Sequence, residues 1–162
     1  MPTYASALAA YKANQLLSAE EQLKSLLSQT PNAPEAWHLL GIICYQTERM
    51  QSACDYLQKA WQSAPRNLIF LNNYALALRA SERFEEALKL LQQALLLAPK
   101  DLDIQLNLAN LFFTLKRFDE AAQYYRRLHR LQPKVQEFKE ALLQALIALG
   151  NAAQAQGHYA QA

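Results

Sequence analysis

The sequence is poor in the residues that build strands and irregular loops. Its 162 residues include three glycines, one valine, five isoleucines and four threonines, against 28 alanines and 30 leucines. Alanine and leucine favour helices, whereas β-branched residues favour strands. The composition therefore excludes a β-sandwich, a barrel or a parallel α/β sheet, and it predicts an all-α protein.

The sequence also lacks an excess of charge of one sign, and it lacks long apolar runs. The 16 basic and 14 acidic side chains leave a net charge of +2, so we expect no nucleic-acid partner. Apolar stretches such as 94–98 are far shorter than the roughly 20 residues that cross a bilayer, and we expect no membrane span. The first residues lack the features of a secretory signal, and two cysteines form no disulfide framework. We expect a cytoplasmic protein, the alternative being a leader removed before the first residue.

Residue patterns that carry chemistry are missing as well. The three histidines are far apart, and none has the spacing to Cys, Asp or Glu that a metal site requires. Three glycines provide no phosphate-binding loop, and the acidic pairs Glu20-Glu21 and Glu85-Glu86 open predicted helices, where carboxylates are favoured. The sequence therefore predicts no metal, no cofactor and no enzyme within these residues.

What the sequence does contain is a repeat. Pro31, Pro65, Pro99 and Pro133 are each 34 residues apart. The same step separates a series of alanines: Ala19, Ala53, Ala87, Ala121 and Ala155. Within one period, two apolar stripes of helical spacing are separated by a short polar break. Each period therefore predicts a pair of antiparallel helices, and the fixed period predicts that the pairs stack.

The residues within a period resemble the tetratricopeptide repeat, whose pattern is W-x2-L-G-x2-Y, then A-x3-F-x2-A, then P. The second repeat carries most of it, with Trp37, Leu40, Gly41, Ala53, Leu57, Ala60 and Pro65. The resemblance implies an all-α fold, an α-α superhelix or right-handed solenoid of about five helix pairs. It also implies a single domain over residues 1–162, with repeats at about 1–33, 34–67, 68–101, 102–135 and 136–162. On this basis the helices are expected at 3–14, 18–29, 35–47, 52–63, 69–81, 86–97, 103–115, 120–131, 136–149 and 152–162.

The fifth repeat can be aligned in two registers. The unshifted register places a turn at Gly150, and we favour it because it needs no insertion. A seven-residue shift instead aligns Leu149-Gly150 with Leu40-Gly41. Residues 151–162 lack the polar capping helix that normally ends such stacks, so we expect the N-terminal part of a longer protein. We also expect self-association through the apolar face of this last helix, formed by Ala152, Ala155, Tyr159 and Ala162, the alternative being that this short segment frays.

The resemblance also indicates a binding surface, because the first helix of each repeat lines a concave groove in this family. The corresponding positions here are Glu35, His38, Tyr45, Gln46, Asn72, Asn73, Arg79, Asp103, Asn107, Asn110, Phe113 and Thr114. Asparagine is a poor helix former, and its amide both donates and accepts hydrogen bonds. These asparagines therefore suggest contacts with the backbone of an extended peptide, the alternative being that they are solvated or pair across neighbouring repeats.

Two comparisons within the family refine this expectation. The lysines and arginine that clamp a C-terminal carboxylate in chaperone-binding relatives are replaced here by Asp103, Glu137 and Asn107. The segment 107–110, by contrast, resembles the asparagine-ladder repeats of O-linked N-acetylglucosamine transferases and other repeat-fused bacterial proteins. The implied function is a protein-protein interaction scaffold whose partner is a protein or peptide. The alternative is a substrate-recruiting or dimerising N-terminal arm of a larger enzyme, such as a glycosyltransferase or sulfotransferase.

Overall fold

The computed structural model describes residues 2–159, and the side chains of 156–159 are outside that description. Within this range the regular structure is helical throughout, with no strand. The helices are α1 (Tyr4–Lys12), α2 (Leu16–Gln29), α3 (Pro34–Gln46), α4 (Met50–Ser63), α5 (Leu68–Ala80), α6 (Phe84–Leu97), α7 (Leu102–Thr114), α8 (Phe118–Leu131) and α9 (Gln136–Tyr159). The all-α prediction is confirmed, and the first eight helices begin and end within two residues of the predicted bounds.

The chain forms two compact units, with the boundary between Leu90 and Leu91 inside α6. In the first unit each helix packs on the next from α1 to α5, and the odd-numbered helices also meet, α1 with α3 and α3 with α5. In the second unit α8 packs on both α7 and α9. The helix pairs predicted from the repeat are therefore present in each unit. The single domain over residues 1–162 stays a prediction.

The turns between paired helices repeat with the same 34-residue step as the prolines. Asn14, Glu48, Glu82 and Lys116 all have a left-handed backbone, with φ between 58° and 59°. After each of them, the next residue donates its backbone N–H to the carbonyl five residues earlier, as Arg49 does to Cys44 at 2.9 Å. This is the hydrogen bond that ends a helix in a Schellman motif. One local conformation therefore reverses the chain in each of the first four repeats.

Small residues allow the paired helices to approach closely. A Cβ atom built on Gly41 of α3 would lie 2.5 Å from Leu57 Cγ and 3.2 Å from the Leu57 backbone nitrogen of α4. Leu57 is buried, and so is Ala53, which follows the turn. The close approach of α3 and α4 therefore depends on the missing side chain at Gly41.

The fifth repeat differs from the favoured register. Helices were expected at 136–149 and 152–162 with a turn at Gly150, but α9 is continuous from Gln136 to Tyr159, so this prediction is wrong. The repeat places Leu143 where the second repeat has Gly41, and an isobutyl group there prevents a second helix from approaching. Among the described residues, no atom outside its own turn of helix lies within 4 Å of a Cβ built on Gly150, and the alanine-rich segment after it favours a continued helix.

The seven-residue shift explains the helical Gly150, because it aligns this residue with the mid-helical Gly41. It also places the next turn at 157–159, where the backbone is still helical, so neither register's turn is formed. Of the face expected to associate, Ala162 and the side chain of Tyr159 lie outside the described residues. The exposed large side chains of α9 lie earlier on the helix, at Leu143, Leu146 and Ile147.

Candidate functional site

The first helices of the first three repeats form one face of the first unit, because α1 contacts α3 and α3 contacts α5. We call this surface the first-helix face. Its helices carry seven of the residues expected at a groove: Glu35, His38, Tyr45 and Gln46 on α3, and Asn72, Asn73 and Arg79 on α5. The sequence therefore predicted which helices contribute to this surface.

A pocket of about 250 Å³ lies between α3 and α5 on this face. Its lining residues are Ile42, Tyr45, Gln46, Leu57, Asn73 and Leu76. The buried side chain of Leu57 reaches it from α4, whereas the other five belong to α3 and α5. The structure thus brings three predicted residues, Tyr45, Gln46 and Asn73, around one apolar cavity.

Half of the pocket's lining was missed in the sequence analysis. Ile42 and Leu76 are 34 residues apart and share the ninth position of the repeat, which faces the groove in the family that the sequence resembles. The 34-residue spacing was the signal that could have found them. As aliphatic residues on amphipathic helices, they have the sequence signature of the core.

A hydrogen bond between α3 and α5 holds the polar edge of the pocket. The amide nitrogen of Asn73 lies 2.8 Å from His38 Nε2. The His38 ring also packs against Phe70, with 4.6 Å between ring centroids. Burial lowers the pKa of His38, and the nearby charge of Glu35 opposes this only in part. His38 is therefore a neutral acceptor at neutral pH, and the Asn73 N–H donates to it.

A second hydrogen bond joins α1 to α3. Gln46 Nε2 donates to the hydroxyl of Tyr11 at 2.8 Å. Tyr11 was not among the predicted site residues, although it lies one repeat before Tyr45 and shares its position. The polar side chains of the first-helix face are therefore partly ordered before any partner binds.

The second unit carries the remaining predicted residues on α7: Asp103, Asn107, Asn110, Phe113 and Thr114. The amide oxygen of Asn110 accepts a hydrogen bond of 2.6 Å from the hydroxyl of Tyr125 on α8. Phe113 packs edge-on against Phe118 with 5.4 Å between centroids. The alternative of pairing across neighbouring repeats thus holds for Asn73, which pairs with His38 of the preceding repeat. Asn110 pairs within its own repeat instead.

The strongest electrostatic cluster of the first unit is structural. Arg49, in the turn between α3 and α4, makes two hydrogen bonds with the carboxylate of Glu20 on α2, at 2.9 and 2.5 Å, and Lys24 pairs with the same carboxylate at 2.6 Å. The bonds from Arg49, supported by Lys24, lower the pKa of Glu20 to about 2 against the cost of burial. A carboxylate held so firmly by two cations joins the first two repeats and is a poor general base.

Neither a metal site nor a membrane span is formed by the residues that the structure describes. Between residues 2 and 159, no group of three His, Cys, Asp or Glu side chains is placed to hold a metal ion. None of the helices described is long and apolar enough to cross a membrane. Cys44 and Cys54 are both buried, and burial raises the pKa of the Cys44 thiol.

Solved structures with the same fold are numerous, and three illustrate the likeness. The chain is similar to MamA 41-end from Desulfovibrio magneticus RS-1, with 16% identity, a TM-score of 0.84, and coverage of 98% of this chain and 90% of that one. It is similar to YrrB, described as a TPR protein with an unusual peptide-binding site, with 19% identity, a TM-score of 0.77, and coverage of 90% and 75%. It is also similar to the TPR domain of OM64 from Arabidopsis, with 23% identity, a TM-score of 0.64, and coverage of 70% and 93%. No curated protein matches the chain significantly.

These similarities confirm the predicted fold class, an all-α superhelical repeat. The asparagine-ladder comparison is untested and stays a prediction. The family model for the cytochrome c-type biogenesis protein H TPR domain matches residues 9–139, which is most of the sequence. The chain therefore belongs to the family of cytochrome c-type biogenesis protein H TPR domains.

Proposed function

We propose that this chain is an interaction scaffold that binds an extended segment of a partner protein along the first-helix face. The observation that carries the proposal is the pocket between α3 and α5, at whose edge the amide of Asn73 is held by His38. An apolar cavity beside ordered polar groups is the usual form of a binding site.

The ordering of the polar groups supports peptide binding in particular. An extended peptide presents backbone N–H and C=O groups, and an asparagine amide can pair with either. Since Asn73 is held by His38 and Gln46 by Tyr11, less side-chain freedom is lost when a partner binds. Tyr45 lines the pocket and serves as an apolar anchor. The corresponding roles of Asn107, Asn110 and Phe113 on α7 belong to the same proposal.

The family and one structural neighbour suggest where to look for the partner. The family description names cytochrome c-type biogenesis, and YrrB is described as having a peptide-binding site. Proteins that take part in c-type cytochrome assembly are therefore the first partners to test. The cytoplasmic location is proposed from the sequence alone, and cell fractionation would test it.

The test compares partner capture by three forms of the chain. The groove variant combines Tyr45→Ala with Asn73→Ala. The control variant combines Gln51→Ala with Asp55→Ala, which removes two exposed, mutually hydrogen-bonded side chains from α4. Wild type and control should retain the same partner proteins, and the groove variant should lose them. Equal retention by all three forms would show that the first-helix face is not the binding site.

The alternative function, a recruiting arm of a glycosyltransferase or sulfotransferase, gains no support from the family match, whose description names a TPR domain alone. The pocket lined by Tyr45 and Asn73 supports the scaffold, because it places an apolar recess beside an ordered amide.

A further inference from the structure

We infer that the pocket between α3 and α5 selects the partner by accepting one large aliphatic side chain (Leu, Ile or Met) while Asn73 binds the adjacent peptide backbone. This inference rests on the proposed function, since it assumes that a peptide lies along the first-helix face. It adds a specificity rule: the bound segment contains one obligatory apolar residue, and its neighbours vary.

The first reason is the chemistry of the lining. Ile42, Leu57 and Leu76 provide aliphatic surface from three different helices, and none of the described residues that line the pocket is charged. A charged side chain placed there would lose its hydration without gaining an ion pair. Acidic and basic residues of a partner are therefore excluded from this position.

The second reason is size. An apolar cavity of about 150 Å³ in another protein is large enough to bind benzene, and the present pocket of about 250 Å³ is larger. It has room for one long aliphatic side chain together with the start of the peptide backbone at its mouth. A methyl group would leave most of the pocket empty, so alanine is a poor substitute.

The third reason is the orientation of Asn73. One of its two amide N–H groups is donated to His38, so the amide oxygen and the second N–H of this pocket-lining side chain can pair with a peptide backbone. A backbone N–H next to the apolar residue is the group that this oxygen suits. The pair of an apolar cavity and an adjacent acceptor therefore fits a peptide, and a lone apolar molecule would use only half of it.

The experiment uses the full chain and a displayed library of random twelve-residue peptides. Selection on wild type should enrich peptides with Leu, Ile or Met at one fixed position. Replacing that residue with alanine in a selected synthetic peptide should weaken its binding at least tenfold, given what burying such a side chain contributes. Replacement with aspartate should abolish binding.

Changing the pocket should change the preference. Leu76→Ala enlarges the cavity, so selection on this variant should shift the enriched residue to Phe or Trp. Ile69→Ala is the matched control, because Ile69 lies on the same helix, is 64% exposed and does not line the pocket. Selection on the control should keep the wild-type preference, and a variant with merely weakened packing would not produce a switch toward larger side chains.

The outcomes separate the inference from the proposed function. If selected peptides lose binding to the Tyr45→Ala, Asn73→Ala variant but show no fixed apolar position, the face binds peptides and the specificity rule is wrong. If Leu76→Ala leaves the preference unchanged, the rule is wrong as well. If no peptide is enriched, or if the groove variant binds every peptide as wild type does, both the inference and the proposed function are overturned.

Discussion

Comparing Gly41→Ala with Gly150→Ala measures how closely the paired helices of a repeat pack, because both glycines lie in the middle of a helix. Gly41 lies against α4, whereas no neighbouring helix in the described part of the chain comes within 4 Å of a Cβ built on Gly150. Replacing a mid-helical glycine with alanine gains up to about 1 kcal/mol of helix propensity at either site. At Gly41 the new methyl would lie 3.2 Å from the backbone nitrogen of Leu57, which a rotamer change cannot relieve.

Overpacking of this kind costs about 1–3 kcal/mol. We therefore expect Gly41→Ala to lower the free energy of unfolding by about 1 kcal/mol after the propensity gain, and Gly150→Ala to raise it by up to about 1 kcal/mol. Urea unfolding followed by far-ultraviolet circular dichroism measures both. Trp37 and Trp61 both lie in the first unit, so tryptophan fluorescence follows the unfolding of that unit separately.

A second substitution tests the stated cause. Leu57→Ala alone should lower the free energy of unfolding by about 2–5 kcal/mol, because it leaves a cavity. The double variant with Gly41→Ala should lose less stability than the sum of the two single variants, since the new methyl group at residue 41 then has room. The reasoning is refuted if Gly41→Ala stabilises the protein as much as Gly150→Ala, or if the two changes at residues 41 and 57 are additive.

Three further predictions follow from single contacts. Because the pKa of Glu20 falls from 4.5 to about 2 on folding, its contribution to stability is complete above pH 4.5 and is lost as the pH falls toward 2. Because Arg49 and Lys24 are partly exposed, the free energy of unfolding of wild type should fall by only about 1–2 kcal/mol more than that of Glu20→Gln between pH 4.5 and pH 2, as measured by urea unfolding. An equal fall in the two proteins would contradict this. The buried side chain of Gln105 donates its amide N–H to the carbonyl of Pro99 at 2.9 Å, whereas the preceding repeat has Leu71 at this position. Gln105→Leu removes this donor and should therefore lower the unfolding free energy by about 1 kcal/mol, and a gain in stability would show that the amide is dispensable. Leu143 and Ile147 are 57% and 55% exposed on α9, so we expect light scattering to report a mass that rises with concentration and falls when both are replaced by lysine; a constant monomeric mass would contradict this.

Features that depend on the repeat itself could be predicted from the sequence. The 34-residue spacing predicted the first eight helices, and it predicted that the two helices of a repeat pack together. Both depend on local propensity and on residue size, which a single sequence displays. The prediction for the fifth repeat was wrong because it followed the alanine spacing, which continues there. Leu143 replaces the small residue on which close packing of a helix pair depends, and the spacing of the alanines does not show this.

The binding surface was only partly predictable. The positions of His38 and Asn73 followed from the repeat, but the hydrogen bond between them depends on rotamers and on the distance between α3 and α5. The aliphatic half of the pocket was missed because Ile42 and Leu76 have the spacing and character of core residues. Whether such a residue faces the core or a groove depends on how neighbouring helices curve, and sequence periodicity does not specify that.

The central claim is that a partner peptide lies along the first-helix face. Nuclear magnetic resonance on the isotopically labelled chain, titrated with a partner peptide obtained by selection, tests it residue by residue. The account predicts that the largest shifts occur at the methyl groups of Ile42 and Leu76, the side-chain amide of Asn73 and the ring of Tyr45. Shifts confined to α2 and α4, with those four side chains unchanged, would contradict it.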